Sequence, residues 1–220
     1  MRTAEQRQSL AKEQYGSRRN KSADVQALNK VQVFDLFRLE RRDAVDAAID
    51  LQSCYDLIGH ASASLSMRAQ GAPEPPVTSM LASLQGMVHR CRNSYGVSES
   101  SFGVCVWEIP HSPPPQGAGQ GNGAGPQIWA VTSSPVFDIL REENHGVHFV
   151  SAISEEEIHI VGTAFVDDTN SDEKLEDPKA TLDQTIDSAQ ASIDSFIGGI
   201  NATGGQPRPG KCWCYFLSPK

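Results

Sequence analysis

Apolar positions along this chain recur with a helical period in some stretches and a period of two in others. Val25, Leu28 and Val31, with Leu36 beyond them, fall at helical spacing behind Ser22, a residue suited to cap a helix start. Ala44 to Leu51 alternates apolar and charged residues and predicts a short strand that ends at Asp50. Ile58 to Gln70 reads as a helix stopped by Gly71. After a loop from Ala72 to Pro76, Met80, Leu81, Leu84, Met87, Val88 and Cys91 mark another helix. Phe102 to Ile109 alternates and predicts a strand, whereas the Pro/Gly-rich stretch 110–126 cannot hold regular structure. Because that stretch lies between a strand and an apolar helix (Ile128 to Leu140), a shaped loop fits it better than a flexible linker. Val147 to Ile153 and Ile158 to Val166 predict two strands that pair naturally as a hairpin. Asp177-Pro178 opens a long amphipathic helix with Leu182, Ile186, Ala189, Ile193, Phe196 and Ile197 on one face. It stops at Gly204-Gly205, before a final strand from Lys211 to Leu217. This order predicts an α+β domain with a mainly antiparallel sheet and helices packed on one face.

With 220 residues, 39% of them hydrophobic, the chain can bury one sizeable core. Its five cysteines (Cys54, Cys91, Cys105, Cys212, Cys214) follow no disulfide-like spacing, and no secretory leader is evident. Reduced thiols in an intracellular compartment, cytoplasmic or nuclear, are therefore expected. The longest apolar run is far below the ~20 residues of a membrane span. The net charge of −8 is unevenly distributed: residues 1–42 carry ten basic and five acidic side chains, an excess of +5, leaving −13 for the remaining 178 residues. A basic arm suits phosphate contacts. The eleven acids between Glu155 and Asp187 suit either divalent metal or a solvated loop.

The informative carboxylates are Asp50 and the adjacent pair Asp167-Asp168, each at or just past the end of a predicted strand. If those strands are neighbours, three carboxylates meet at one edge, and such a concentration of like charge is costly without a cation. Oxygen-only ligands suit magnesium, and two such ions can support an in-line phosphoryl displacement. Adjacent aspartates after a strand are, however, commonly just an exposed turn. Other chemistry finds little support. Cys212-x-Cys214 lacks a second pair at zinc spacing, and the six histidines are scattered. The Gly-rich stretch 117–125 lacks the Lys-Ser/Thr of a phosphate-binding P-loop.

Phe165-Val166-Asp167-Asp168 resembles the aromatic-x-Asp-Asp hairpin of reverse transcriptases, and the likeness extends through most of the chain in that family's order. Asp50-Leu51-Gln52-Ser53-Cys54-Tyr55 resembles the first carboxylate motif, an Asp followed five places later by Tyr or Phe. The stretch from Gln120-Gly121 to Pro126 resembles the Gln-Gly loop, and Gly204-Gly205 with Lys211-Cys212 resembles the later glycine-to-lysine motif. Gln14-Tyr15-Gly16-Ser17-Arg18 resembles the Gln-x-Gly-x-Arg stretch of the fingers. Each motif is weak alone; five in order are not. The resemblance implies a polymerase palm over 43–220 with partial, basic fingers over 1–42, closest in character to retroelement enzymes without long terminal repeats.

The resemblance also implies roles. Asp50 and Asp167 would hold Mg2+ (Mn2+ can substitute), helped by the Leu51 carbonyl, with Asp168 in support. Tyr55 would lie beneath the incoming sugar and favour dNTPs, unless it is a core tyrosine. Gln120 and Gly121 would touch the nucleotide. Lys211 would stand near the triphosphate, unless merely exposed. Arg18 and Arg19 would contact template or triphosphate phosphates, or else belong to a floppy basic tail. The implied partners are an RNA or DNA template with its primer, and no membrane. Leu57 stands where many relatives carry a basic residue, and the thumb, RNase H and endonuclease domains are expected to be absent. An active RNA-directed DNA polymerase domain and an inactive, domesticated fragment that binds nucleic acid or a partner share every one of these motifs.

Overall fold

The computed structural model describes residues 2–88, 90–100, 117–119 and 121–218. The chain begins with α1 (Arg2–Gln6), α2 (Ala23–Glu40) and β1 (Ala44–Ile49). Next come α3 (Cys54–Leu57), α4 (His60–Ala69), α5 (Glu74–Gln85) and a small hairpin of β2 (Arg92–Asn93) with β3 (Gly96–Val97). Helix α6 (Gly125–Glu142) precedes β4 (Val147–Val150), β5 (Glu157–Ile160), β6 (Thr163–Phe165) and β7 (Asp168–Glu173). Helix α7 (Leu182–Ala202), a 3₁₀ turn (Pro209–Lys211) and β8 (Trp213–Leu217) complete it. The expected strand at 102–109 lies outside the described residues.

The main sheet is antiparallel, in the order β6-β7-β1-β8, so the chain is an α+β fold as expected. Val45, Ala47 and Ile49 on β1 are buried on one face. There α7 packs on β1 and β7, and α6 packs on α7. Trp129, Val136, Phe137, Phe196 and Ile200 fill the core between them. The opposite face carries Asp46, Ala48 and Asp50, and α2 covers one end of it. Lys30 Nζ of α2 lies 3.0 Å from Asp46 Oδ2, and Phe37 joins Ala44, Val147 and Phe149 in a second small core.

Several boundaries differ from the sequence expectation, each for a local reason. The Ser22 hydroxyl caps α2 by accepting from Val25 N–H at 3.3 Å. Yet Val25, Leu28 and Val31 are exposed, and the buried positions are Val33 and Phe37. Two apolar stripes compete on this helix, and the aromatic one reaches the sheet. Helix α5 stops at Gly86, which leaves Met87 and Val88 exposed. Helix α7 starts later than Asp177-Pro178 because Thr181 and Gln184 form a capping box. The predicted hairpin forms between β4 and β5, with Val147 opposite Ile160, but the second predicted strand is split at Gly162. Here φ is +150°, and a Cβ would sit 2.1 Å from the Asn170 carbonyl oxygen, so only glycine allows the chain to cross into the main sheet as β6.

Strand β7 has no apolar residue and lies in the acidic stretch whose composition suits either divalent metal or a solvated loop. It is nonetheless inner, paired to both β6 and β1, because most of its polar side chains, Asn170, Ser171 and Glu173 among them, find partners. Ser171 and Ser192 hydroxyls meet at 3.1 Å, and Glu173 accepts from Ser188 Oγ and Gly146 N–H, each at 2.8 Å. Directly across the ladder, Asp46 faces Asp172; both are fully buried. Asn170 Nδ2 donates to Asp46 Oδ1 at 3.0 Å, but neither Asp172 oxygen meets a donor. Burial, then the Asp46 charge, pushes the Asp172 carboxyl up to about 7. A raised folded-state pKa means that stability falls as pH climbs from the ordinary carboxylate value towards 7 and is flat above it. Asp172→Asn removes that penalty. In urea unfolding it should be more stable than the parent by about 1–3 kcal/mol at pH 8, with the gap closing towards pH 4.

Candidate active site

The β1–β7 ladder ends on the pair Ile49–Thr169, so Asp50 and Asp168 are the next residues beyond it on the two chains. Strands β6 and β7 are joined by a two-residue turn, Val166-Asp167, with Phe165 paired to Asp168. The three aspartates therefore gather at one end of the two strands. Asp50 and Asp168 line an open groove of about 460 Å³ with Lys30, Asn170, Lys211 and Trp213. Asp167 is half-buried on the other side of the turn. Burial raises its carboxyl pKa; a backbone hydrogen bond lowers it, the Asp168 and Asp50 charges raise it, and Lys211 lowers it.

Lys211 Nζ is 3.7 Å from Asp50 Oδ2 and more than half exposed, a weak ion pair on a well-held turn. Arg208 N–H donates to the Asp50 carbonyl at 2.9 Å, and Leu51, itself buried, forms an antiparallel bridge with Pro207. Tyr55 follows on α3. Burial first, then the Asp167 and Cys54 charges, pushes its phenol up to about 12. The same burial and the Asp167 charge raise the Cys54 thiol. The Tyr55 ring also borders the start of α6, 3.4 Å from where a Cβ on Gly125 would stand.

The described part of the glycine-rich stretch before α6, 117–119 and 121–124, is held by specific hydrogen bonds. Ala118 N–H donates to the Tyr55 carbonyl at 2.7 Å, and His60 Nε2 lies 2.7 Å from the Gly117 carbonyl. Asn122 closes the loop through Ala118 O at 2.9 Å and Ala124 N–H at 3.0 Å. Gly121 is exposed at its tip; Gln120 lies outside the described residues. The two arginines part company. Arg19 is exposed, while Arg18 is turned inward, forked on Glu5 at 3.0 Å and 3.0 Å, and does not join the carboxylate end.

The fold is shared with telomerase. Apo telomerase from Candida tropicalis aligns with a TM-score of 0.59 at 11% identity, covering 99% of this chain and 34% of that one. Telomerase from Candida albicans, in complex with a TWJ fragment of telomeric RNA, aligns at 0.59 and 10%, covering 97% and 33%. A C-terminally truncated apo telomerase from Candida tropicalis gives 0.58 and 12%, covering 94% and 37%. At such identities the likeness is one of fold, here a polymerase-like α+β fold. This chain spans about a third of the length of those telomerase chains. No family model matches the sequence, and no curated protein is significantly similar to it.

Three residues important to this geometry escaped the sequence reading: Asn122, Trp129 and, in its actual role, Gln14. Trp129 Nε1 donates to the Val166 carbonyl at 2.6 Å, and the only signal for it was an apolar helix beginning just after the loop. Among the described residues no three His, Cys, Asp or Glu side chains already converge as a metal cage. Among these residues, no helix is long and apolar enough to cross a membrane. The donor set still fits a hard divalent cation: three carboxylates at one strand end, with Asp50 and Asp168 lining an open groove and Asp167 raised by burial and then by their charges. Magnesium keeps several waters and completes its shell with substrate oxygens, so a closed cage is not required. In metal-free protein, Asp167→Asn relieves burial of a charge and its repulsion from Asp168 and Asp50. The melting midpoint at pH 7 should therefore rise by up to about 2–4 °C, as expected for a gain near 1 kcal/mol in a domain of this size.

Proposed function

We propose that this chain is the palm and adjoining N-terminal segment of an RNA-directed DNA polymerase. On this reading it adds dNTPs to a primer on an RNA or DNA template by two-metal nucleotidyl transfer. The observation that carries the proposal is the β1–β7 register, which brings Asp50 and Asp168 to one groove at the strand end, with Asp167 next in the hairpin turn. The telomerase-like fold supports it. The ordered motifs favour a retroelement enzyme of the type without long terminal repeats, working inside the cell.

Asp50, Asp167 and Asp168 would hold the cations, with the Leu51 carbonyl as an added oxygen. Bound Mg2+ would supply activation of the primer hydroxyl and neutralisation of the leaving pyrophosphate. Tyr55, wedged between Asp167 and the start of α6, would floor the sugar site and exclude a 2′-hydroxyl. The backbone at Gly121, together with Gln120, would approach the nucleotide. Lys211, standing by Asp50, would place an ammonium near the triphosphate or protonate pyrophosphate. Arg19 remains open for phosphate contacts.

Primer extension on poly-rA/oligo-dT with Mg2+ or Mn2+ tests the reading. The parent should extend, and Asp50→Asn and Asp167→Asn should each lose at least about 100-fold, near 3 kcal/mol of barrier. A folded parent inactive with both metals would favour the second reading, an inactive, domesticated fragment that binds nucleic acid or a partner. The −8 charge and the inward Arg18 support that second reading. In an active enzyme Tyr55→Ala should incorporate ribonucleotides more readily, read as a fall in the ratio of kcat/KM for dNTP over rNTP. An unchanged ratio would make Tyr55 a core residue.

A further inference from the structure

Gln14 is fully buried, and its amide oxygen and nitrogen both bond to main chain around one turn. Its Oε1 accepts from the backbone N–H of Val166 and of Gly16, each at 2.8 Å. Its Nε2 donates to the Val166 carbonyl at 2.9 Å, the same oxygen that receives the Trp129 indole N–H. Both main-chain groups of Val166 are thus gripped from outside the hairpin. Val166 needs that grip: it is β-branched and sits at φ +61°, a left-handed conformation that such residues rarely adopt. Its backbone sets the direction in which the next residue, Asp167, leaves the turn.

The rest of the Gln-x-Gly-x-Arg stretch serves the same contact. A Cβ on Gly16 would stand 2.4 Å from both Val166 Cγ2 and Val166 N, so no larger residue lets the segment lie this close. Arg18 Nη1 donates to the carbonyls of Ala11 at 2.5 Å and Gln14 at 3.2 Å, while Glu5 holds the other side of its fork. Tyr15 N–H to the Ala164 carbonyl (2.7 Å) and Ala164 N–H to the Glu13 carbonyl (2.8 Å) lay the segment parallel to β6. Ala11 N–H on Ser134 Oγ at 2.9 Å pins it to α6. Edge pairing alone would require only the backbone bridge. The side chain of Gln14 instead addresses the one strained residue beside Asp167.

We propose that Gln14, Gly16 and Arg18, with Trp129, form a positioning device that holds the Val166 turn and so aims Asp167. The proposal rests on the reading of Asp50, Asp167 and Asp168 as a metal site. Two measurements on the full chain separate the device from that reading. The first is Mn2+ binding followed by electron paramagnetic resonance. The second is amide hydrogen exchange of the stretch 163–170. Relative to the parent, Gln14→Met should weaken Mn2+ binding about ten-fold or more, the usual consequence of losing an outer-shell support. It should speed exchange at the turn while leaving exchange in α7 unchanged, and slow primer extension in kcat with little change in dNTP KM. Gln14→Glu, which keeps the acceptor but loses the donor, should fall between the two. Trp129→Phe removes one donor with little loss of packing and carries the test if Gln14→Met does not fold. Parent-like Mn2+ affinity together with parent-like turn exchange in a folded Gln14→Met would overturn the proposal. If the parent itself binds no Mn2+, the metal reading fails, and turn exchange alone decides the device: faster exchange upholds it, unchanged exchange overturns it.

Discussion

The antiparallel register of β1 against β7 is the constraint on which this molecule depends. Side chains alternate across a strand, so one register places Ile49 and Val45 in the helix-covered core and Asp46 and Asp50 on the opposite face. It also pairs Asp46 with Asp172, and just past its last pair it brings Asp50 and Asp168 to the same groove. The inner pair is sealed from water, with Lys30 and Asn170 on Asp46 and the Asp172 carboxyl pushed up by burial and by the Asp46 charge. Asp50 and Asp168 open onto a groove, where Asp50 meets the half-exposed ammonium of Lys211 at 3.7 Å. The same repulsion is thus neutralised internally at one end of the strands and left for a cation at the other. A slip of one residue would bury Asp50 and expose Ile49, which is why a strand as polar as β7 can still be placed uniquely.

The two edges of the sheet are treated differently. At β6 the segment around Gln14 adds a parallel bridge, covers the edge and grips the turn. At β8 no strand among the described residues pairs with the outer side, and Trp213, Tyr215 and Phe216 are each about half exposed. The covered edge lies beside the carboxylate hairpin, where a small rotation of the turn would displace Asp167. The basic excess of residues 1–42 is partly consumed by this architecture, since Arg18 neutralises Glu5 and Lys30 neutralises Asp46. A count of charges along the chain therefore overstates what is free to meet phosphate.

Much was legible from residue order. The alternation of Ala44 to Leu51, the apolar helix after the glycine-rich loop and the capped entry at Ser22 are local properties, governed by side-chain period and by which residues satisfy helix ends. So was the candidacy of Asp50, Asp167 and Asp168, because chemistry-bearing residues at strand ends follow from the same periods. The α2 stripe at Val25, Leu28 and Val31 misled because two apolar faces coexist on one helix, and only the sheet beneath it selects between them.

Local pattern, then, determined the element types, the α+β class and the identity of the acidic residues near the strand ends. Tertiary structure alone decided that polar β7 is an inner strand, that Gly162 divides one apolar run between two sheets, and that Arg18 faces inward. It also decided that Gln14, 152 residues from Val166 in the chain, holds the turn beside Asp167. The physical reason is common to all four. Each depends on a hydrogen-bond partner or steric neighbour supplied by a distant part of the chain, and no period in the sequence records who that partner is.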